Sequence, residues 1–370
     1  MKSYKLKLTA LTPIHIGTGE HYEPTNFVID NGYLYEFDEI KFYEKLDKKQ
    51  KDDFLKAVEK KDSSESLFEI HRIIKENKKK AIESKISKVQ VSKGIERDYE
   101  NKVGRVMQQE GGRRVQKSKV FNRFQIEKTM RLKNSKRVYI PASSIKGSIS
   151  TAYQEAIFKK DRALKQELFH NIRPQENIFK NLMIADTTPI KTYSIIGYSL
   201  NKERFEDDES GPSNKLETIY SGSIFETTLQ IRDYRVRQQV DFELIKKSCN
   251  NHYLPLFRQM FRPKTIFRGE KVDDYTNEYF SENFYEKYRH FELKDNQFLL
   301  RVGKHSGARA VTIDGDRKIR VKISGGGARR KPNRWEVLDQ ETTTWFLGAT
   351  EGSLTTLLPF GWVIIEVVSR

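Results

Sequence analysis

The sequence has few of the features that stabilise secreted proteins or anchor proteins in membranes. Its 370 residues include one cysteine, Cys249, which excludes an internal disulfide framework and a thiolate metal site. No apolar run reaches the ~20 residues of a membrane-spanning helix. The N-terminal stretch MKSYKLKLTALTPIHI lacks the continuous apolar core of a signal peptide. These absences predict a cytoplasmic protein that does not associate with a membrane.

Patterns for nucleotide and metal binding are also missing. A P-loop requires Gly-x-x-x-x-Gly-Lys-Ser/Thr, whereas SSIKGS has Lys146 before Gly147. The glycine-rich stretches GTGEHY and SGGGARR lack the strand-turn-helix context of a dinucleotide-binding loop. The seven histidines are scattered, and no spacing of Asp, Glu and His places metal ligands on one helix face. We therefore expect no cofactor and no metal.

Positive charge, in contrast, is in excess. The chain has 68 Lys and Arg against 51 Asp and Glu, a net charge of +17. An excess of this size favours a polyanionic partner, either nucleic acid or an anionic membrane surface. The membrane alternative lacks a sustained basic amphipathic helix and lipidation signals.

Two segments concentrate the positive charge. Residues 111–137 contain ten Lys or Arg, and residues 301–334 contain eleven, with glycines and aromatic residues between them. This combination favours RNA or DNA binding. The first segment belongs to a polar stretch, 88–137, that is predicted to be an excursion from the core. The candidate contacts in these segments are Arg113, Arg114, Arg329 and Arg330, with Phe121 and Phe124 as base-stacking candidates.

Strand and helix patterns are intermixed along the chain. YKLKLTAL (4–11) alternates as a strand does, and FVIDNGYLYEF (27–37) predicts a hairpin around Asn-Gly. Asp38 is predicted to cap a single following helix, and GWVIIEVV (361–368) a terminal strand. This mixture predicts an α+β fold.

An acidic stretch, EDDESGPSNK (206–215), is the candidate domain boundary. It predicts an N-terminal domain, residues 1–218, and a C-terminal domain, residues 219–370. Residues 40–137 are predicted to be insertions into the first domain.

The stretch RVYIPASSIKGSIS (137–150) predicts a phosphate-binding turn. A short strand ends at Pro141, and Ser143 or Ser144 can cap the helix that follows. Backbone N–H groups at the helix start, a serine hydroxyl and the Lys146 ammonium would converge next to Gly147. Such a site suits a phosphate group.

Two histidines, His15 and His21, frame the first glycine-rich loop, which contains Gly17 and Gly19. An imidazole beside a basic RNA groove can act as a general acid or base, with Lys146 stabilising the transition state. The alternative is a hydrogen-bonded or base-stacking histidine beside a phosphate loop. The sequence favours this alternative because no second histidine completes an acid–base pair.

Three segments together resemble the RAMP superfamily of CRISPR proteins. They are LTPIHIGTGEHYEPTNFVID, YIPASSIKGSIST, and LLRVGKHSGARAVT with the closing LPFGWVIIEV. The element TPIHIGTGE followed by a hairpin resembles, more narrowly, the fifth Csm subunit of type III-A interference complexes. The chain departs from the family pattern at Ala142, where the family usually has glycine.

The resemblance implies two ferredoxin-like domains whose glycine-rich loops and inserted basic β-hairpin contact CRISPR RNA. It implies a non-catalytic subunit that caps the complex at the 3′ end of the guide and supports guide maturation. The implied partners are guide RNA, target RNA, the backbone RAMP subunit and the small helical subunit, and the isolated chain is expected to be a monomer. The residues expected to bind RNA are His15, Gly17, Gly19, Arg113, Arg114, Ser143, Ser144, Lys146, Gly147, Gly303, Lys304, Arg329 and Arg330. The alternative function is a metal-independent endoribonuclease that uses His15 and Lys146.

Overall fold

A computed structural model of the chain describes residues 1–104, 108–110, 118–120, 124–169, 177–205, 209–232, 240–323 and 334–369. Strands and helices are intermixed through these residues, which confirms the α+β class. The strands are β1 (Lys2–Ala10), β2 (Gly17–Tyr22), β3 (Phe27–Asp30), β4 (Tyr33–Phe37), β5 (Lys85–Val91), β6 (Gln108–Glu110), β7 (Ser118–Val120), β8 (Ile126–Thr129), β9 (Leu182–Ile184), β10 (Thr188–Lys191), β11 (Ser194–Glu203), β12 (Glu209–Ile219), β13 (Ile224–Ile231), β14 (Lys264–Phe267), β15 (Glu270–Asp273), β16 (Gln297–Arg301), β17 (Ile319–Ile323), β18 (Arg334–Leu338), β19 (Thr343–Gly348), β20 (Leu358–Pro359) and β21 (Trp362–Ser369). The helices are α1 (Glu39–Lys45), α2 (Lys48–Val58), α3 (Ser63–Glu76), α4 (Lys78–Glu83), α5 (Lys93–Lys102), α6 (Ala142–Lys160), α7 (Arg162–Phe169), α8 (Phe242–Gln259) and α9 (Glu282–Tyr288).

The first sheet contains both ends of the chain. Within the described residues it has six strands, in the order β10, β13, β1, β21, β16, with β9 paired to β13. Strand β1 is antiparallel to both of its neighbours, β13 and β21, and the terminal strand predicted at 361–368 is confirmed as β21. The predicted alternation of β1 is also confirmed. Its buried side chains are Tyr4, Leu6, Leu8 and Ala10, all on one face because successive strand residues point to opposite sides.

Helices α6 and α8 pack against each other and against β16 of this sheet. The Tyr4 ring of β1 stacks on Phe242 of α8, with ring centroids 3.8 Å apart. Tyr253 of α8 donates a hydrogen bond to the carbonyl of Ser148 in α6 (2.9 Å). The contacts between the first sheet and these two helices form part of the main hydrophobic core, which continues into the second sheet.

The second sheet has nine strands in the part of the chain that the structure describes. Its order is β2, β8, β12, β11, β5, β4, β3, with β19 paired to β11 and β20 to β19. The hairpin predicted at 27–37 is confirmed as β3 and β4. Its turn residues, Asn31 and Gly32, have φ values of 48° and 76°, a left-handed conformation that favours Asn-Gly.

Helices α1 to α4 follow this hairpin. Asp38 caps α1 as predicted, accepting hydrogen bonds from the N–H groups of Ile40 and Lys41 at 3.0 Å. The single long helix predicted after Asp38 is wrong, because Asp47 and Gln50 form a capping box that starts α2. The helices and the hairpin share a second, smaller hydrophobic cluster, formed by Val28, Phe37, Phe42, Leu46, Ile74 and Ala81.

The segment predicted to lie outside the core, residues 88–137, is shorter in the structure. Val89 of β5, Tyr99 of α5 and Ile126 of β8 are buried in the main core, so both ends of that range belong to the folded body. Between them, β6 and β7 pair with each other in antiparallel register. The range is polar overall, so its few apolar residues do not indicate from the sequence that they belong to the core.

The two predicted domains contribute strands to the same sheets. Strand β1 pairs with β13 and β21, and β11 pairs with β19, so all three pairings cross the boundary at 218. Residues 209–219, which include much of the acidic stretch, form β12. The division at 218 stays a prediction.

A buried ionic cluster joins α6 and α8 to the segment before β17. The Glu155 carboxylate accepts hydrogen bonds from His252 Nδ1 (2.8 Å), the Asp314 N–H (2.8 Å) and Lys159 Nζ (2.9 Å). Burial alone would raise the pKa of Glu155, but the His252 imidazole and the other donors lower it from 4.5 to about 2. The ionised carboxylate therefore stabilises the fold above its unfolded pKa, and this contribution is lost as the pH falls through the folded value.

We expect Glu155→Gln to destabilise the protein at pH 7 and to have a progressively smaller effect between about pH 4.5 and pH 2. The reason is that below about pH 4.5 the unfolded chain takes up a proton at this carboxyl, whereas the folded carboxylate stays ionised until about pH 2, so the stability that the charge contributes is lost over this range. Thermal unfolding of both proteins at each pH measures the difference. Glu44→Gln, at an exposed carboxylate of α1, is the control. A difference between wild type and Glu155→Gln that did not change with pH would contradict the prediction.

Candidate nucleic-acid interface

The first glycine-rich loop leaves β1 and is held between three parts of the chain. Ile14 exchanges backbone hydrogen bonds with Ile219 (2.9 and 2.8 Å), and the Gly361 N–H donates to the Pro13 carbonyl (2.8 Å). The Ile16 N–H donates to Thr129 Oγ1 (3.0 Å). These bonds fix the buried part of the loop. Gly17 and Gly19, which follow it in β2, are exposed.

The second glycine-rich loop, residues 301–307, lies directly against the first. The Lys304 N–H donates to the His15 carbonyl at 2.9 Å. Gly303 has a φ of 86°, and a Cβ at this position would lie 2.5 Å from the His15 carbonyl oxygen. Glycine is required here both by the left-handed backbone and by the close approach of the first loop. His305 also has a positive φ, 68°, and its ring packs on Trp345 with centroids 4.3 Å apart.

The third predicted segment, the start of α6, adjoins the second loop. Ser148 Oγ donates to the Arg301 carbonyl at 2.8 Å. The predicted serine cap is wrong: α6 begins at Ala142 with Pro141 at the N-cap, and Ser143 and Ser144 lie inside the first turn. Proline presets the backbone there, and Asp186 Oδ1 accepts from the Ala142 N–H (2.7 Å) in place of a serine cap. The three segments are thus neighbours in space, although more than 100 residues separate each from the next.

The Lys146 ammonium is hydrogen-bonded to another segment of the chain and is not left free at the start of α6. Its Nζ donates to the Leu182 carbonyl at 2.7 Å, and burial lowers the pKa of the ammonium. Because a carbonyl is uncharged, this bond does not neutralise Lys146, and no ion pair with a described residue does so. Ser143 and Gly147 of the same helix are exposed, and Ser144 is half-buried.

His15 is fully buried. Its Nδ1 donates to the Glu217 carbonyl at 2.7 Å, and its Nε2 lies 3.3 Å from Glu127 Oε2. Burial lowers the pKa of His15, which favours the neutral ring. The Nδ1 hydrogen bond therefore holds the first loop against β12. His21, by contrast, is exposed on β2.

Lys304 is the exposed cation at the junction of the two loops. Its Nζ forms an ion pair with both carboxylate oxygens of Glu127, at 2.9 and 2.6 Å. Burial would raise the pKa of Glu127, but the Lys304 ammonium lowers it. The side chain of Lys304 is 44% exposed, so water competes for the pair and an incoming phosphate can do so too.

A buried carboxylate, Glu217 of β12, supports this surface from beneath. It accepts hydrogen bonds from Tyr22 OH (3.1 Å) and the Thr129 N–H (3.3 Å), and it is paired with the guanidinium of Arg131. Burial raises the pKa of Tyr22 well above its ordinary value, and the Glu217 charge adds to this effect. This network has no signal in the sequence, because its members come from distant strands with no local motif.

Some predicted contacts cannot be placed. Arg113, Arg114, Arg329 and Arg330 lie outside the described residues, as does Phe121. Phe124 is described and is 2% exposed, with its ring against Tyr99 in the core, so its predicted stacking role is wrong. Glu127 and Lys304, but not Phe124, face the outside of the loop junction.

In the described ranges, no group of three or more His, Cys, Asp and Glu side chains is placed to hold a metal ion. No helix among them is long and apolar enough to cross a membrane.

A family model described as the RAMP superfamily matches residues 7–308, a range that includes both glycine-rich loops and α6. The chain belongs to the RAMP superfamily. This membership confirms the resemblance drawn from the three sequence segments. The comparison with curated proteins finds no match.

Among solved structures, this RAMP chain is similar to a chain in "Cryo-EM structure of Csm-crRNA-target RNA ternary complex in type III-A CRISPR-Cas system". The two are 15% identical, the match covers 99% of this chain and 100% of the other, and the TM-score is 0.60. It is also similar to the chain in "Crystal structure of T.onnurineus Csm5", at 14% identity, with 80% and 89% covered and a TM-score of 0.49. The first likeness shows a shared fold over 99% of this chain.

Proposed function

We propose that this chain is a non-catalytic RNA-binding subunit of a type III-A CRISPR (Csm) effector complex. In this role it caps the backbone of the complex at the 3′ end of the guide RNA and supports guide maturation. Its partners are guide RNA and target RNA, the backbone RAMP subunit and the small helical subunit, and the isolated chain is a monomer. Two ferredoxin-like units with an inserted basic hairpin form part of the same proposal.

The observation that carries this proposal is the match of the complete fold to a protein chain of a Csm–crRNA–target RNA complex, over 99% of this chain and 100% of the other. The net charge of +17 supports an RNA partner. The contact between the two glycine-rich loops, with α6 beside them, supports a continuous surface for an RNA backbone.

The alternative, a metal-independent endoribonuclease, requires His15 and Lys146 to reach the RNA. The buried His15 ring is bonded to the Glu217 carbonyl, and Lys146 is bonded to the Leu182 carbonyl. The His15 contact favours the non-catalytic role, because it keeps the ring buried. Incubation with repeat RNA in EDTA separates the two functions. Specific cleavage that is lost in His15→Ala but kept in His21→Ala would support the nuclease.

We expect Lys304→Ala and Lys146→Ala each to weaken binding of single-stranded guide RNA. Each loss of a phosphate contact should reduce the slope of log K against log salt concentration by about 0.7. Fluorescence anisotropy titrations at several salt concentrations measure this slope. Thermal unfolding of each variant shows whether the fold is retained.

Lys56→Ala is the matched control for both variants. Lys56 is an exposed lysine of α2, which packs on α3 rather than on the loops. The Lys56→Ala substitution lowers the net charge of the chain by one, as the other two substitutions do, so it measures the effect of net charge alone. Equal slopes for all three variants would contradict the proposed surface. Absence of RNA binding by the wild-type chain would contradict the proposed function.

A further inference from the structure

Strands β17 and β18 form a two-stranded arm outside the two large sheets. In its register, Arg320 is opposite Val337, and Lys322 is opposite Trp335. Residues directly opposite in an antiparallel pair lie on the same face, and so do residues two apart in one strand. These four side chains therefore share one face of the arm, which we call the outer face.

The outer face is exposed. Trp335 is 61% exposed and Val337 is 59% exposed, and Arg320 and Lys322 are exposed as well. No acidic residue belongs to this face, and neither cation forms an ion pair with a described residue. The opposite face is half-buried, and its members are Ile319, Val321, Glu336 and Leu338.

The opposite face contacts the neighbouring two-stranded hairpin, β14–β15. Glu336 forms an ion pair with Arg268 in the turn between β14 and β15, with the two side-chain atoms 2.6 Å apart. The arm is thus held through one face while the other stays open. The exposed indole of Trp335, which is opposite Lys322 and diagonal to Arg320, differs from the other two tryptophans, because Trp362 is fully buried and Trp345 packs against His305.

We propose that the outer face of the β17–β18 arm binds single-stranded RNA, with a base stacked on Trp335 and the backbone phosphates beside Arg320 and Lys322. This inference rests on the proposed RNA-binding function and adds a second surface, separate from the glycine-rich loops. Aromatic side chains bind bases of any sequence by stacking, and neighbouring cations hold the strand in place.

The chemistry selects a single strand rather than a duplex. An indole can stack only on a base that has left its own stack, and the bases of an A-form duplex remain stacked. The two cations, two residues apart on β17, are about 7 Å apart along the strand, which places them on the same side of one nucleic-acid strand. An acidic protein segment is the competing occupant.

Tryptophan fluorescence tests the proposal directly, because Trp335 is the most exposed of the three tryptophans. We expect an oligouridylate single strand to quench the emission of the wild-type chain, and the quenched component to be missing in Trp335→Phe. Trp335→Phe keeps a stacking ring and should retain most of the affinity. Trp335→Ala should lose about tenfold in affinity, within the range for one stacked base.

Val337→Ala is the matched control, since it shortens an equally exposed apolar side chain of the same face that has no ring. Its affinity should equal that of the wild type. Lys322→Ala provides a second test that does not depend on the indole, and it should reduce the salt slope by about 0.7.

The outcomes separate this surface from the proposed function. Wild-type binding that Trp335→Ala and Lys322→Ala leave unchanged would overturn the arm as an RNA site and leave the function standing. If Trp335→Ala instead lost binding to an acidic protein segment while its RNA affinity stayed unchanged, the outer face would be a protein-docking surface. That result would also overturn the arm as an RNA site. Absence of any RNA binding by the wild-type chain would overturn both.

Discussion

Gly303→Ala should destabilise the chain by about 2–4 kcal/mol, because a left-handed backbone and a steric clash act together. The φ of 86° alone disfavours any residue with a Cβ, and the new Cβ would lie 2.5 Å from the backbone oxygen of His15. Backbone atoms cannot move aside as a flexible side chain can. The two glycine-rich loops must separate, and the bond from the Lys304 N–H to the His15 carbonyl is lost with them.

Gly19→Ala isolates the clash from the backbone strain. Gly19 has a similar φ of 81°, but a Cβ there would meet no atom within 4 Å. We expect this control to lose only about 1–2 kcal/mol. Denaturant unfolding of both variants measures the difference. Equal destabilisation by the two substitutions would mean that the contact between the loops contributes nothing.

The sequence predicted the elements with a local signal. Alternation predicted β1, an Asn-Gly pair predicted the β3–β4 hairpin, and a capping aspartate predicted the start of α1. Each of these depends on residues within a few positions of one another. The same reasoning identified the three segments that meet at the candidate site, because glycine-rich loops and a strand-to-helix turn are local patterns.

The sequence could not predict how these segments are used once they meet. His15 was considered for catalysis because a histidine beside a glycine-rich loop carries no sign of its burial. Its partner Glu217 is 202 residues away, and no spacing links them. Lys146 was placed at a helix start, but its contact with the Leu182 carbonyl depends on a strand that follows α7. Contacts of this range are set by tertiary packing.

Trp335 shows a related limit. The sequence shows that the segment around Trp335 is basic. That Trp335 lies opposite Lys322, however, depends on the register of β17 and β18. A shift by one residue would place the indole on the half-buried face. The sequence therefore identified the charge of this region, and the structure identified which face presents it.

The buried pair beneath the loops carries the last prediction. Arg131 donates to the Ser194 hydroxyl (2.9 Å) and is paired with Glu217, whose carboxylate is completely buried. Burial would lower the pKa of Arg131, but the Glu217 charge raises it. Removal of one partner leaves the other charge in a low-dielectric interior, which is more costly than the absence of both.

We expect Arg131→Met to destabilise the chain by about 3–5 kcal/mol, because Glu217 then remains buried without its cation. Adding Glu217→Gln should recover part of this loss, and a double-mutant cycle from denaturant unfolding measures the coupling. Arg72→Met is the control: Arg72 pairs with Glu69 and Glu76 on the surface of α3, where its side chain is 46% exposed. That substitution should cost less than about 1 kcal/mol. If Arg131→Met and Arg72→Met lowered the free energy of unfolding by the same amount, the buried pair of Arg131 and Glu217 would contribute no more stability than a surface ion pair. The RNA surface would then depend on the backbone contacts between the loops alone.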